Sequence, residues 1–474
     1  MSTSPDPRLG RAAWSWALFQ GVRDPYIILV TIYIFIPYVV RLVGDPVHGQ
    51  ALVASGAKYA GWTVALTAPL LGAAVDRMGP RKPWLGIVVA LMVPLIALLW
   101  GVRPGGLTPT DAVAITAALG VLFAYSQTLH NALLLPAAGM YKAGHASGLA
   151  LAFGNFISVA MLAFVLWAFA LPGTVDWRFV PATPLFGLDR SAFEPDRIVA
   201  PLVAVVFALG ALPLFAFVPD VAATGTRLIA ALRGAVADLR ALITDARGYR
   251  DGLMYLSAYL LFTDGLTGIL IFTGVYAAGA MGWGTLALLA YGMLLSTAAV
   301  AGGFLAGWLD TRLGPKRALT VELVLVIVSQ ALTLGQTSTL LFYRAFDAAA
   351  HAPLWNGPVF RTAPDIALIA AGFVGAISVT AAYASSRTMV TRVVPPAKIG
   401  VFFGLFTLAG SATLWLAPLL VQTATAATGS QRAGLLPISG LLLVGLIVLQ
   451  QVRGGGRLSG SPRSDTRPTA ARAG

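Results

Sequence analysis

The chain has 474 residues, 57% of them hydrophobic and only 11% charged, with a mean hydropathy of +0.80. Soluble domains average about 25% charged residues, so an ordinary soluble fold is excluded and a bilayer is the expected solvent. A net charge of +13 would suit a nucleic-acid partner, but the basic residues gather at the ends of apolar runs, which excludes that reading, and the absence of cysteine excludes disulfides and thiolate metal sites.

A span needs about 20 apolar residues at 1.5 Å rise each. Such runs recur at 14–42, 51–75, 84–102, 111–138, 146–171 and 199–218, then at 250–278, 283–309, 318–340, 364–390, 399–422 and 434–452. The expected fold is therefore an all-α membrane protein with twelve transmembrane helices in two pseudo-symmetric six-helix bundles. Residues 1–218 form the first bundle, 219–249 a connector, 250–452 the second bundle, and 453–474 a basic tail without apolar periodicity that is expected to be disordered. Residues 1–13 are polar and the first apolar run is too long for a signal-peptide core, so no cleavable signal is expected.

Span 1 carries Gln20, Arg23 and Asp24, spaced i, i+3, i+4 on one face. Asp24 lies about 15 Å along the helix from Trp14, and Pro25 frees a backbone carbonyl beside it. Ionisable groups at that depth cost at least about 2.5 kcal/mol on insertion scales, so a cavity role and a structural pairing both need a partner. In span 2, Lys58 and Trp62 share a face, where snorkelling competes with substrate contact. That span ends in Gly72-Ala-Ala-Val-Asp76-Arg77-Met-Gly79-Pro-Arg81-Lys82. Span 4 places Gln127, His130 and Asn131 on one face; a proton relay competes there with the commoner helix-packing hydrogen bond.

The loop at 172–197 mixes Asp176, Arg178, Asp189, Arg190, Glu194 and Arg197 and reads as a solvated cap. The connector sets Leu228, Leu232, Val236, Leu239 and Ile243 at helical spacing with Arg227, Arg233 and Arg240 between them. That pattern suits an amphipathic helix on an anionic leaflet that holds the halves together. Span 7 repeats the polar theme of span 1 with Thr263, Asp264, Gly265 and Thr267, and a break in corresponding helices of two halves points to a substrate site. Asp264 has no adjacent cation, so a proton- or cation-binding carboxylate competes with one satisfied by hydroxyls.

Span 8 ends in Ala306-Gly-Trp-Leu-Asp310-Thr-Arg312-Leu-Gly314-Pro-Lys-Arg317, which repeats the earlier loop: an aspartate, an arginine, then Gly-Pro and two basic residues. Gly302, Gly303 and Gly307 just before it allow close helix packing. Glu322 begins span 9 near the interface and reads as solvated or gate-side. Arg387 and Arg392, near the end of span 10, are candidate partners for Asp310. Asn155, Thr380, Tyr383, Thr407 and Trp415 are further cavity candidates. Lys and Arg are concentrated on the side of the two repeated loops, which places that side, with both termini, in the cytoplasm.

The paired loops resemble the signature motif of the major facilitator superfamily, between spans 2 and 3 and between spans 8 and 9. The resemblance implies a latch that closes the cytoplasmic gate, carried here by Asp76, Arg77, Gly79 and Arg81 and by Asp310, Arg312 and Gly314. From Phe402 the chain reads FFGLFTLAGSATLWLAPLL and from Tyr255 YLSAYLLFTDGLTG, and Ser386-Arg387-Thr388 precedes Pro395. These phrases are similar to the branch containing the fungal vacuolar amino-acid effluxers and their bacterial relatives. Members of that branch usually begin span 1 with Tyr-Asp-Trp-Ala-Asn, whereas Phe19-Gln20-Gly21-Val22-Arg23 stands here, so the acid falls at Gln20 and Arg23-Asp24 is new. The Arg-Lys-Pro-Trp phrase at 81–84 also resembles sugar–cation symporters of the superfamily.

The function implied is a secondary active transporter for a small polar solute, an amino acid or similar metabolite, coupled to protons. It would work by alternating access as a monomer in a bacterial inner membrane. Gln20, Arg23, Asp24, Lys58, Gln127, His130, Asn131, Asp264, Thr267 and Tyr383 are the expected substrate or ion contacts. A sugar–cation symporter and a transport-silent receptor are the alternatives. An embedded enzyme is not expected, because His48, His130, His145 and His351 show no metal or acid–base spacing. No cofactor is expected, and no Gly-Lys-Ser/Thr phosphate loop suits ATP-driven pumping.

Overall fold

The computed structural model describes residues 9–246, 248–393 and 399–453 and is built almost wholly of helices. The first part contains α1 (Arg11–Val43), α2 (Pro46–Met78), α3 (Lys82–Gly101), α4 (Pro109–Ala132), α5 (Leu134–Val165, bent at Gly139) and α6 (Glu194–Phe217). The connector helix α7 (Leu228–Ala246) follows. The rest comprises α8 (Arg250–Gly279), α9 (Thr285–Leu313), α10 (Pro315–Leu334), α11 (Ala363–Val393), α12 (Ile399–Ala412), α13 (Leu416–Thr428) and α14 (Gln431–Gln451).

Local chemistry sets the ends of these helices. Pro46, Pro109 and Pro315 occupy first-turn positions, where a missing N–H costs nothing. Thr108 and Asp111 form a reciprocal capping box at the start of α4. In both repeated loops a glycine stops the helix in the left-handed region, Gly79 at φ 98° and Gly314 at φ 78°, where a side chain would be strained. The two loops thus share a positive-φ glycine at the helix end, although ψ differs, −70° at Gly79 and 155° at Gly314.

Ten helices among the described residues are long and apolar enough to cross a bilayer, so the chain is an integral membrane protein. Of the twelve expected spans, two fall outside that set for physical reasons. At 33 residues α2 has the length, but His48, Gln50, Lys58 and many Gly, Ala and Thr dilute its hydropathy. The eleventh run is broken into α12 and α13, of 14 and 13 residues, each too short alone.

Packing repeats between the two parts of the chain. In the first, α1 lies against α5 and α6, α2 against α4, and α3 against α4 and α6. In the second, α8 lies against α12 and α14, α9 against α11, and α10 against α11 and α14. The parts meet where α1 crosses α8, α5 meets α9, and α2 runs beside α12 and α13. At the α1–α8 crossing a Cβ on Gly274 would overlap the carbonyl oxygen of Ile32, so only glycine permits that approach.

Candidate functional site

The regular α-helical part of α1 ends at Arg23, and Pro25 has no N–H to continue the ladder. The backbone relaxes into a π-helix over Tyr26–Tyr33. At this break Arg23 is buried, with only 3% of its side chain exposed, and Nη2 lies 3.3 Å from Oδ1 of Asp24. Gln20 donates from Nε2 to Oδ2 of Asp24 at 3.3 Å. The guanidinium sits 4.7 Å from the Phe123 ring of α4, and its Nε and Nη1 are buried without a hydrogen-bond partner. Asp24 is a quarter exposed and lies against Gly154 of α5. A buried cation with donors to spare beside a partly open carboxylate is expensive unless something else binds there.

Span 7 differs from expectation. The helix α8 runs unbroken through Thr263, Asp264 and Gly265, and the break lies in the eleventh run at residues 413–415. Asp264 explains how that break is held. Its Oδ2 accepts the backbone N–H of Ala417 at 2.6 Å, in the first turn of α13. A carboxylate at a helix N-terminus satisfies an orphan donor and complements the helix dipole. The side chain is 2% exposed, and the adjoining Gly265 packs on Leu442 and Ile438 of α14. Thr267 and Tyr383 do come together, with hydroxyls 3.0 Å apart between α8 and α11.

The expected polar face on α4 splits. His130 is fully buried, stacked between Trp16 at 4.3 Å and Phe19 at 4.9 Å, with Nε2 2.8 Å from the carbonyl oxygen of Trp16. Trp16 Nε1 donates in return to the His130 carbonyl at 2.7 Å. Gln127 and Asn131 are exposed. His130 therefore ties α1 to α4.

Lys58 crosses to the second part of the chain, donating to Oε1 of Gln422 on α13 at 2.8 Å. Its ammonium lies 4.3 Å from the Tyr59 ring and 5.4 Å from the Trp62 ring, a cation–π setting. Trp62 approaches Trp415 at 6.0 Å. Nearer the helix ends, Gln50 donates to Thr425 Oγ1 and to the Gln431 carbonyl, and Gln431 donates to the Pro46 carbonyl. Asp196 accepts from Arg41 and, at 2.5 Å, from Thr285 Oγ1, joining α1, α6 and α9. Asp196 and Arg197 are buried, Arg197 under the Trp100 ring, so the loop ending at 197 is not solvated throughout. Gln50, Asp196 and Gln422 gave no signal beyond being polar near span ends.

The repeated loops take different partners. In the first, Arg77 forms two 2.7 Å hydrogen bonds with Asp238 of α7, and Arg77 holds that carboxyl below the usual carboxylate range. Arg81 Nη1 donates to the Gly79 carbonyl. Asp220 accepts the backbone N–H groups of Arg81 and Lys82, while Lys82 Nζ donates to the Val218 carbonyl at the end of α6. The side chain of Asp76 lies outside the described residues. In the second loop Asp310 Oδ2 accepts from Thr388 Oγ1 at 2.6 Å. Arg387 and Arg392 are exposed, and among the described residues neither pairs with Asp310. Arg312 lies over the Trp308 ring at 4.7 Å. Lys316 Nζ donates to the carbonyls of Gln450 and Val452 at the end of α14.

Glu322 departs furthest from expectation. It has no exposed surface, and Oε1 accepts from Ser385 Oγ of α11 at 2.9 Å. Thr407 and the Leu239 side chain of the connector lie outside the described residues, as does the tail beyond Arg453.

Solved structures share this arrangement. The nucleoside transporter NupG, solved as a point mutant, superposes with a TM-score of 0.62 at 14% identity, covering 93% of this chain and all of that one. A bacterial homolog of the human lysosomal transporter Spinster, inward-facing and unoccupied, gives 0.61 at 13% identity over 94% of this chain and 97% of that one. A D-xylose–proton symporter gives 0.62 at 12% identity over 94% and 98%. At these identities the likeness is one of fold, and the fold is that of the major facilitator transporters. Within that class the chain belongs to the family described as vacuole effluxer Atg22 like, whose model matches residues 147–454. No curated protein sequence matches it. The family and the structural neighbours are transporters, and the chain is a transporter of the major facilitator type.

Proposed function

We propose that the chain moves a small polar solute, an amino acid or similar metabolite, by secondary active transport. Twelve spans would form two six-helix bundles, 1–218 and 250–452, that rock about a site centred on Arg23 and Asp24. The observation that carries this reading is the guanidinium of Arg23, buried at the π-helical break with two nitrogens unpartnered beside a partly open carboxylate. A zwitterion supplies what that pair lacks, a carboxylate for Arg23 and an ammonium for Asp24. Lys58, Thr267 and Tyr383 would border the path, with the exposed Gln127 and Asn131 toward its mouth. Asp264, whose Oδ2 is held by Ala417 while its Oδ1 is buried without a partner, supports α13 in this reading.

Polar contacts between the halves gather at the end remote from both repeated loops, in the clasps of Arg41–Asp196–Thr285, Gln50–Gln431 and Lys58–Gln422. That distribution supports a state closed on the remote side and open toward the loops. The basic loops support placing them and both termini in the cytoplasm of a bacterial cell, with the chain in its inner membrane. Transport as a monomer coupled to protons completes the proposal.

Uptake of labelled amino acids into proteoliposomes tests it. Arg23→Gln and Asp24→Asn are expected to lower uptake about 10- to 100-fold, the worth of one charge-assisted contact. Unchanged uptake in both variants would remove the site. Equal uptake with and without a proton gradient would remove the coupling. A thermal-shift screen in which sugars alone raise the melting temperature would replace the solute class.

A further inference from the structure

The geometry points to Glu322 as a proton-binding site, linked to Asp310 of the second repeated loop and separate from the central pair Arg23–Asp24. Glu322 lies about 10 Å along α10 from its first residue and has no exposed surface. Its Oε1 takes one hydrogen bond, from the neutral Ser385 hydroxyl, and its Oε2 is buried with no partner. An ionised carboxylate buried this way lacks both water and a countercharge, at a cost far above that of the neutral acid. A bound proton removes that cost and turns Oε2 into a group with something to donate.

The surrounding charges support this assignment. Helices α9, α11 and α14 pack on α10. On α9, Asp310 is of like sign, Arg312 lies over Trp308, and Tyr291 packs on Trp283. On α11, Asp365 is held by Trp283 and Thr362, Tyr383 meets Thr267, and Arg387 and Arg392 are exposed. Lys316 of α10 is engaged by the end of α14, Arg317 is exposed, and Arg432 of α14 lies over Tyr343. Among the described residues no cation forms an ion pair with Glu322.

A route to the membrane surface is also present. Ser385, which serves Glu322, offers its carbonyl to Thr388 Oγ1 at 2.9 Å, and the same hydroxyl reaches Asp310 Oδ2 at 2.6 Å. A threonine hydroxyl has one proton, so in donating to one of these oxygens it gives up the other or shares weakly. One turn of α11 thus touches both carboxyl groups. A proton arriving at Glu322 changes the hydrogen bond at Ser385, and that turn hands the change to the loop aspartate. Protonation on the bundle flank would then bias the latch while the solute occupies the centre.

Difference infrared spectroscopy on the full chain in lipid, titrated from about pH 5 to about pH 9, tests the site directly. The expected result is a carbonyl-stretch band of a neutral carboxylic acid that disappears in Glu322→Gln. The band should persist at a shifted frequency in Ser385→Ala, which keeps the acid and removes its donor. Absence of any Glu322-dependent band in that range overturns the proposal, as does a band unmoved by Ser385→Ala. In proteoliposomes Glu322→Gln should retain solute counterflow and lose gradient-driven accumulation by at least about tenfold, roughly 1.4 kcal/mol. Wild-type accumulation in that variant would also overturn it. The functional arm alone rests on the transport reading above: a Glu322 band in a protein that transports nothing would sink that reading and support the proton site.

Discussion

Asp24 and Asp264 each lie in the first helix of their half, flanked by polar neighbours, and the structure treats them differently. Asp24 stands at a break in its own helix, a quarter exposed, beside a guanidinium with unused donors. Asp264 stands in an unbroken helix and holds the start of a broken neighbour through the N–H of Ala417. A carboxylate in a membrane protein can be kept by a ligand-facing cation or by the backbone donors of a helix end. The difference teaches that two acids at comparable places in the first helix of each part can be kept by different means, a neighbouring guanidinium or a helix start.

The largest effect should come from Asp264→Ala, which strips the acceptor from a buried N–H and should lower stability by about 2 kcal/mol. Asp264→Asn, whose amide oxygen still accepts, should recover most of that loss. Thermal unfolding in detergent reads both, and equal melting of the Ala variant and wild type would abolish the contrast. Asp24→Asn should do the reverse, cutting solute uptake about tenfold or more while leaving the melting temperature in place. A variant that loses both together would mean that Asp24 also serves the fold.

Smaller effects belong to contacts joining the halves and the loops. Lys58→Met keeps the bulk and removes the hydrogen bond to Gln422, worth about 1 kcal/mol. It should raise labelling of a cysteine introduced on the side remote from the repeated loops, and unaltered labelling would mean that the clasp does not hold the seam. Arg77→Ala removes an exposed pair of little worth to stability, so it should show as faster hydrogen exchange in α7 with little change in melting. Because Arg77 holds Asp238 below the ordinary carboxylate range, this contact is complete at neutral pH and is lost as pH falls through that lowered value. Asp238→Asn should show the acid-like exchange pattern already at neutral pH; wild-type exchange there would separate the ion pair from docking of the connector.

Much of the fold was legible because lipid imposes long apolar runs and because a Gly-Pro turn between basic residues is a local device. Gly79 and Gly314 each end a helix at positive φ just before that proline. The eleventh span hid its break, since nothing local in Ala412-Thr413-Leu414-Trp415 announces one; the stabilising carboxylate comes from Asp264, far away in the sequence. The solvated alternative for Glu322 fails for a related reason, since the residue is fully buried. Its distance from a span end gives its depth, but whether it faces water or Ser385 depends on the packing of α10 against α11. At the central site the spacing of Gln20, Arg23 and Asp24 was readable, whereas the burial of His130 between two aromatic rings was not, because helical periodicity says nothing about which neighbour occupies a face.

Lys82 and Lys316 reach from the starts of α3 and α10 to the carbonyl ends of α6 and α14. Such a tie acts as a strut, fastening two helices at the rim beside the repeated loop. Any tilt of one is then passed to the other, so each flank would pivot as a plank instead of flexing stave by stave.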